Sequence, residues 1–310
     1  MVGTATADEG DYILPTPFAG FHRIYASMIG FSSAAVDTLV ESGRDYTINF
    51  RLQPDVLHLG GVLVVAERDA KWRSRLRKFE REFVGTSDAA RETEILNPEV
   101  LDLDGGFGWI EARAGAPLRL INRALGYHVT YYLKDFRVSG GTLRYDGEPL
   151  FEALAPADEA EAERWGRNRR RAFYGSVRHY LLALLDGQTK ESGFLTFRRF
   201  DLASTYGSNT RYPTDPAAYL SAGPTAETRT FVFDRFLEVV YTKEPEDGDF
   251  LRWIGSGRSA TNQRSWLEMN EDVATVDLSG EIVEPYAITV YGYFAFERIG
   301  DLLPKEYRPN

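Results

Sequence analysis

The sequence predicts an α+β chain: a β-sandwich at the N-terminus, then a mostly antiparallel sheet domain packed on one long helix. Three observations predict it. Residues 3 to 65 break into short alternating runs separated by Gly10, Pro15, Pro17, Gly20, Gly30, Gly43 and Pro54. Glu163 to Gly187 carries the longest helical pattern together with the densest positive charge. From Ile95 onward longer alternating runs return on both sides of that helix.

In chain order, the first strands are GTATA, DYILP, FHRIYASMIGF, AAVDTLV, DYTINFRL and GVLVV, with the clearest alternation in Tyr46, Ile48, Phe50 and Leu52. Lys71 to Gly85 then reads as an amphipathic helix, because Trp72, Leu76, Phe79 and Phe83 share one face and Gly85 closes it. Its other face, Arg73, Arg77, Lys78 and Arg81, either meets an anionic surface or is solvated, and the solvated reading is the simpler. The expected organisation is a sandwich over residues 1–66, a connecting helix over 67–86 and an α+β domain over 87–310.

ILNPEVLDLD, WIEARAG, LRLINRALGYHVTYYLKDFRV and TLRYDGEPLF form the next strands, with a Gly140-Gly141 turn before the last. The long helix follows. Pro156 and Asp158 start it, acids suit its positive end, and Asp186-Gly187 stops it. Trp165, Ala172, Phe173, Ser176, Val177, Tyr180, Ala183 and Leu184 fall on one arc at about 100° per residue. Arg164, Arg167, Arg171 and Arg178 fall on the opposite arc and form a candidate basic surface. Arg169 lies instead among the apolar residues. A buried guanidinium needs a carboxylate or several carbonyl oxygens, so Arg169 is read as a structural ion pair, with an anion-binding site as the sharper alternative.

FLTFRRFDL resumes the sheet, and Ala203 to Thr228 reads as a surface loop. TFVFDRFLEVVYTKE places Phe231, Phe233, Leu237, Val239 and Tyr241 on one face. WLEMN, VATVDLSG and IVEPYAITVYGYFAFER read as a meander whose last strand, apolar on both faces, is central. RIGDLLPKEYRPN is a capping segment.

Composition narrows the function classes. A chain of 310 residues, 43% hydrophobic and 13% aromatic, can build a full core. Its net charge of −10 argues against nucleic acid as a general partner. Glu67–Glu82 runs against that balance with seven basic against four acidic residues, as does Arg164–Arg178 with six arginines and no acid. The absence of cysteine excludes disulfides and thiolate chemistry. No run reaches the roughly 18 apolar residues of a transmembrane span, and MVGTATADEG is not a signal peptide. His22, His58, His128 and His179 stand in no zinc-ligand spacing, and Gly105-Gly106-Phe107-Gly108 lacks the context of a dinucleotide fingerprint. No nucleophile elbow or P-loop occurs, so neither a catalytic residue, a cofactor nor a metal site is assigned. Asp102, Asp104 and Glu148 as a glycosidase pair are less economical than scattered surface acids.

GTATADEGDYILPTPFAGFHRIYASMIGFSSAAVDTLVESGRDYTINFRLQP resembles the second part of a carboxypeptidase-like regulatory domain, a transthyretin-like β-sandwich of bacterial envelope proteins. The opening strand pair of that module is missing, which predicts either coding sequence upstream of Met1 or a truncated chain. ILNPEVLDLD, INRALGYHVTYYL, RWGRNRRRAFYGSVRHYLLALL, QRSWLEMN and VYGYFAFERIGDLLPKEYRP resemble the region that follows the module in bacterial carboxypeptidase-like regulatory domain-containing proteins. The resemblance implies a periplasmic or envelope location, against a cytoplasmic one if Met1 is the true start. It brings no catalytic residues. The expected function is therefore a non-enzymatic binding or scaffolding protein of the cell envelope, its partner a protein or glycan, with strand addition at the sandwich edge as one mode. The rival is a hydrolase with its site between the long helix and the sheet.

Overall fold

The computed structural model describes residues 3–15, 20–26, 28, 31–32, 34–54, 70–202, 210–257 and 260–309. The chain divides into two compact units, Met1–Asp69 and Ala70–Asn310. The first unit holds β1 (Gly20–Ala26), β2 (Phe31–Ser32), β3 (Ala34–Val40) and β4 (Gln53–Pro54). β1 pairs antiparallel with β3, and β2 with β4.

Alternation in the 45–52 stretch appears in burial without becoming a strand. Ile48, Phe50 and Leu52 are half-buried while Thr47, Asn49 and Arg51 are exposed. Tyr12 covers the half-buried side, its hydroxyl donating to the Ile48 carbonyl at 2.7 Å and its ring centroid 6.4 Å from that of Phe50. A strand is defined by its ladder, and this stretch has none; GTATA and DYILP likewise stay outside the sheets. GVLVV lies outside the described residues.

The second unit opens with α1 (Ala70–Phe83), followed by α2 (Asp88–Arg91), β5 (Thr93–Ile95), β6 (Leu101–Gly106), β7 (Trp109–Ala114), β8 (Leu118–Asn122), β9 (Tyr127–Ser139) and β10 (Thr142–Ala153). These strands make one antiparallel sheet in the order β5-β8-β9-β7-β6, with β10 on β9. β10 runs along the whole of one edge of β9, so β8 and β7 share the other edge in succession. At Gly147 the ladder shifts register, and a side chain there would collide with the Tyr132 carbonyl and the Tyr131 ring. The face expected for α1 is the one buried: Phe79 and Phe83 are fully covered, Trp72 and Leu76 partly, all against Leu101, Leu103, Phe136 and Tyr131. Each phenylalanine contributes about 2–3 kcal/mol by that burial. α1 is thus part of this unit's core.

The single long helix expected next is two helices, α3 (Glu159–Phe173) and α4 (Val177–Leu185). Gly175 interrupts it with φ +84°, a conformation that L side chains rarely adopt, and a Cβ there would lie 2.3 Å from the side-chain Oε1 of Gln263. Ser176 restarts the chain as N-cap, its hydroxyl accepting the His179 N–H at 3.1 Å. β11 (Phe194–Arg199), β12 (Tyr212–Pro213), β13 (Leu220–Ala222), β14 (Thr228–Phe231) and β15 (Phe236–Tyr241) come next, followed by α5 (Gly248–Trp253), β16 (Gln263–Met269), β17 (Ala274–Asp277), β18 (Ile288–Gly292) and α6 (Tyr293–Phe296). They form a five-stranded antiparallel sheet, β12-β11-β15-β16-β18, and a three-stranded one, β13-β14-β17.

Three expectations change here. The stretch read as a loop contains β12 and β13. The meander does not form, because β17 joins β14 in another sheet. The last strand, β18, is an edge strand instead of a central one; its Ile288 and Val290 serve the core while Tyr291 faces the other side and bonds Glu268. By contrast Phe231, Phe233, Leu237, Val239 and Tyr241 all enter one core as expected, although β14 and β15 are separated by Arg235 at φ +59°.

Two large apolar cores result, one under the six-stranded sheet and one shared by the five- and three-stranded sheets, beside a small cluster of Phe250, Tyr293 and Phe296. Phe173 and Leu182 belong to the first; Tyr180, Leu181, Ala183 and Leu184 belong to the second. The α3–Gly175–α4 corner therefore joins the two. Among the described residues no helix is long and apolar enough to cross a membrane.

Candidate functional site

The seam where α3 and α4 meet the sheets gathers most of the residues singled out in the sequence. Arg169 lies on the turn between β8 and β9, and so do Trp165, one helical turn before it, and the adjacent Asn168. Trp165 donates its indole N–H to the Arg123 carbonyl at 2.8 Å, Asn168 its amide to Ala124 at 2.8 Å, and Arg169 its Nε to Leu125 at 2.7 Å and an Nη to Gly126 at 3.3 Å. Four consecutive carbonyls of the turn are thus bound in order by one helix face. Gly126, at φ +71°, is required because a Cβ would enter the Trp165 ring. The guanidinium of Arg169 also sits over the Tyr127 ring, 4.3 Å from its centroid. The expected ion pair is accordingly replaced by carbonyl oxygens and an aromatic face, which satisfy a guanidinium without burying a second charge.

Of the candidate basic surface, three arginines lie where expected and one does not. Arg164 pairs with Glu92 at 2.9 Å, Arg167 with Glu163 at 3.5 Å, and Arg171 with Asp88 at 3.1 Å and Asp247 at 3.2 Å. Arg178 is buried in α4. It donates to the carbonyls of Ser279 at 3.2 Å, Pro304 at 2.8 Å, Tyr307 at 3.0 Å and also Lys305, with Glu281 3.9 Å away. Burial pulls its pKa down to about 10, against the pull of Glu281. The Gly175 corner resets the helical phase, so the angle extrapolated from Arg171 does not carry across to Arg178.

The same seam contains a serine and a histidine, and their geometry is that of a helix cap. The Ser176 hydroxyl donates to the Phe173 carbonyl at 2.7 Å, while His179 Nδ1 accepts the Gly175 N–H at 3.1 Å. The imidazole is packed among Phe173, Tyr174, Phe194 and Tyr241, and burial, with Lys243 adding to it, lowers its pKa to about 4. Because Ser176 gives its proton to the Phe173 carbonyl and His179 Nδ1 is occupied by the Gly175 N–H, the imidazole is not poised as that serine's base.

The C-terminal strap closes the seam. Gly300 donates its N–H to the Val84 carbonyl at 2.9 Å and accepts Asn122 Nδ2 at 2.8 Å, and a Cβ on it would strike the Ala90 backbone. Ser87 contacts both carboxylate oxygens of Asp301, at 2.8 and 2.9 Å. Burial, with Asp247 adding to it, raises Asp301 to about 6. Glu297 is pushed well upward by burial and by Asp301, Glu244 and Asp247.

A buried ionic group that the sequence reading missed lies on the other face of the five-stranded sheet. Glu238, 1% exposed, accepts from Arg199 at 2.8 Å and Arg211 at 2.7 Å, and Arg211 stacks on Phe197 at 4.1 Å. A lone acid inside the apolar run FLEVVY was its signal. The imagined glycosidase acids do not converge: Asp102 and Asp104 lie on β6 and Glu148 on β10, with two strands between, a separation of about 14 Å at the usual strand spacing. Asp104 pairs with Arg75, and Glu148 faces Lys305. Among the described residues no group of acids and histidines has the arrangement of a metal site. A cleft of about 410 Å³ between the end of α1, α2 and β5 is rimmed by Arg81, Arg91, Glu92, Glu94 and Arg123, each paired with an opposite charge.

Comparison of the chain with protein-family models, with curated proteins and with solved structures finds no match in any of the three.

Proposed function

We propose that this chain is a non-enzymatic binding or scaffolding protein of the bacterial cell envelope, its N-terminal unit a transthyretin-like module and its second unit a rigid platform. The observation that carries the reading is how the seam spends its polar groups. Arg169, Arg178, Asn168, Ser176 and His179 all bond backbone groups of this chain, which is the behaviour of a weld between two cores. Catalytic groups are instead held towards a space that a substrate can enter. The half-buried, unladdered alternation of Ile48, Phe50 and Leu52 supports strand addition as the mode of binding in the first unit. The envelope location rests on the family resemblance.

Two measurements test this. Fractionation of the source cell should place the protein with the envelope, and recovery in the cytosol would remove the location. Assay of the purified chain on ester, peptide and glycoside substrates should give no turnover above buffer. Turnover abolished by Ser176→Ala in a protein that still unfolds cooperatively, about 1 kcal/mol less stable for the lost cap, would establish the hydrolase instead.

A further inference from the structure

β6 and β7 are joined by a two-residue turn, Phe107-Gly108, since Gly106 pairs with Trp109. Phe107 is 106% exposed, the most exposed large apolar side chain among the described residues. The turn requires glycine on both sides of Phe107. A Cβ on Gly106 would meet the Trp109 indole nitrogen at 2.7 Å, and Gly108 takes φ +79°. α1 is tied to the hairpin: Arg75 donates to the carbonyls of Leu103 at 3.1 Å and Gly105 at 2.9 Å, and Lys78 to that of Trp109 at 3.2 Å. A rigid hairpin therefore presents one solvated aromatic ring beside a basic helix.

The charge balance around the ring is positive within a chain of net charge −10. α1 holds six basic residues against Glu80 and Glu82. Lys71, Arg73, Arg77 and Arg81 are exposed. The nearby acids are largely occupied: Asp104 with Arg75, Glu82 with Arg81, Glu111 with Arg137, and Asp102 opposite Arg113 across the ladder. Glu80 is half-buried and pushed upward by burial, an effect that Arg77 opposes.

We propose that the Phe107 tip and the exposed face of α1 form a docking surface for an anionic lipid bilayer. A convex tip bearing one ring lacks the flat area of roughly 800 Å² per partner that a stable protein interface needs. It suits a bilayer, whose interfacial zone accepts aromatic rings and whose anionic headgroups attract Lys and Arg within a Debye length. The ring enters the headgroup zone, and Lys71, Arg73 and Arg77 lie over the charged surface. This names a partner for the binding role proposed above and rests on that reading only for the compartment that supplies the lipid.

The test is co-sedimentation of the full chain with vesicles of phosphatidylcholine containing phosphatidylglycerol, against vesicles of phosphatidylcholine alone. Binding is expected to the first and to weaken with salt. Phe107→Ser should weaken it about tenfold, the loss expected from one exposed ring, and Arg73→Glu with Arg77→Glu should abolish the preference for phosphatidylglycerol. Phe107→Ser alters an exposed turn and should unfold at the wild-type temperature; the arginine pair, which loses Arg77 beside Glu80, should unfold a few degrees lower and remain folded at the assay temperature. Equal sedimentation with both vesicles, or binding indifferent to Phe107→Ser, overturns the proposal. So does concentration-dependent self-association that Phe107→Ser removes, which would assign the tip to a second copy. Failure here leaves the scaffolding role standing, whereas turnover lost on Ser176→Ala removes that role and leaves the lipid result intact.

Discussion

In α3, Arg164, Arg167 and Arg171 stand at the surface beside Glu92, Glu163, Asp88 and Asp247; in α4, a few residues further on, Arg178 is enclosed and its guanidinium holds the carbonyls of the last residues of the chain. The two helices come from one arginine-rich stretch, and the sequence distinguishes them only by Gly175. Surface ion pairs contribute little each, about 0–1 kcal/mol, because water screens both partners. A buried guanidinium that satisfies several carbonyls is different, since its removal orphans every acceptor it held. The density of charge along α3 thus says less about stability than the single arginine of α4.

Truncation ranks the two helices directly. Arg178→Ala should cost about 3–5 kcal/mol, the range for removing one member of a buried charged network, and should free the strap from Pro304 onward. Arg169→Ala should cost less, about 1–2 kcal/mol, for two carbonyl bonds and one ring contact on a half-buried group. Arg167→Ala should change stability by less than about 0.5 kcal/mol. Denaturant unfolding of the three variants measures the order. Equal losses at Arg178 and Arg167 would break the comparison, and equal, small losses at Arg169 and Arg167 would displace α3 from the β8–β9 turn.

The corner between the helices gives a second contrast, on two glycines. Gly175→Ala forces a Cβ into positive φ and into Gln263, which should destabilise by about 2–4 kcal/mol through backbone strain and a displaced buried amide. Gly166, inside α3, has only Arg170 Nη1 near, at 3.8 Å. Gly166→Ala should therefore stabilise by about 0.5–1 kcal/mol, because alanine replaces the worst non-proline helix former in an open position. A pair of thermal melts separates the two signs. A gain at both positions would mean that the helix runs through Gly175 after all.

What was legible in the sequence was local. Trp72, Leu76, Phe79 and Phe83 share a face whatever the rest of the chain does, and the alternation of Tyr127, Val129 and Tyr131 holds along a regular strand. Angle along a helix is legible only while the helix continues, so Arg178 was misassigned one turn after the corner. The inward angle of Arg169 was legible, but its partners were not, because the carbonyls of Leu125 and Gly126 come from a turn some forty residues earlier in the chain. The edge position of β18 was hidden for a similar reason. Apolar residues on both faces of a strand report cover, and cover comes from non-local neighbours as readily as from strands on either side.

The smallest effect expected is on pH, because shifted groups in the same unit oppose one another. His179, lowered to about 4 by burial, binds a proton less readily folded than unfolded, so its contribution to stability is lost as pH falls from about 6.5 towards 4. Asp301, raised to about 6 by burial beside Asp247, binds a proton more readily folded than unfolded; its contribution is complete below the ordinary carboxylate range and is lost as pH rises through about 6. Glu297 shifts in the same direction as Asp301. Between about pH 4 and 6 the slopes of His179 and Asp301 oppose one another and largely cancel, and Glu297 adds to the acid side, so wild-type stability should fall gently as pH rises across that window. Asp301→Asn keeps an acceptor for Ser87 and for the Arg298 N–H while removing the ionisation. Its unfolding temperature should gain on wild type as pH rises from 4 to 7, tilting the profile. A variant that tracked wild type at every pH would show that Asp301 does not titrate in the folded strap.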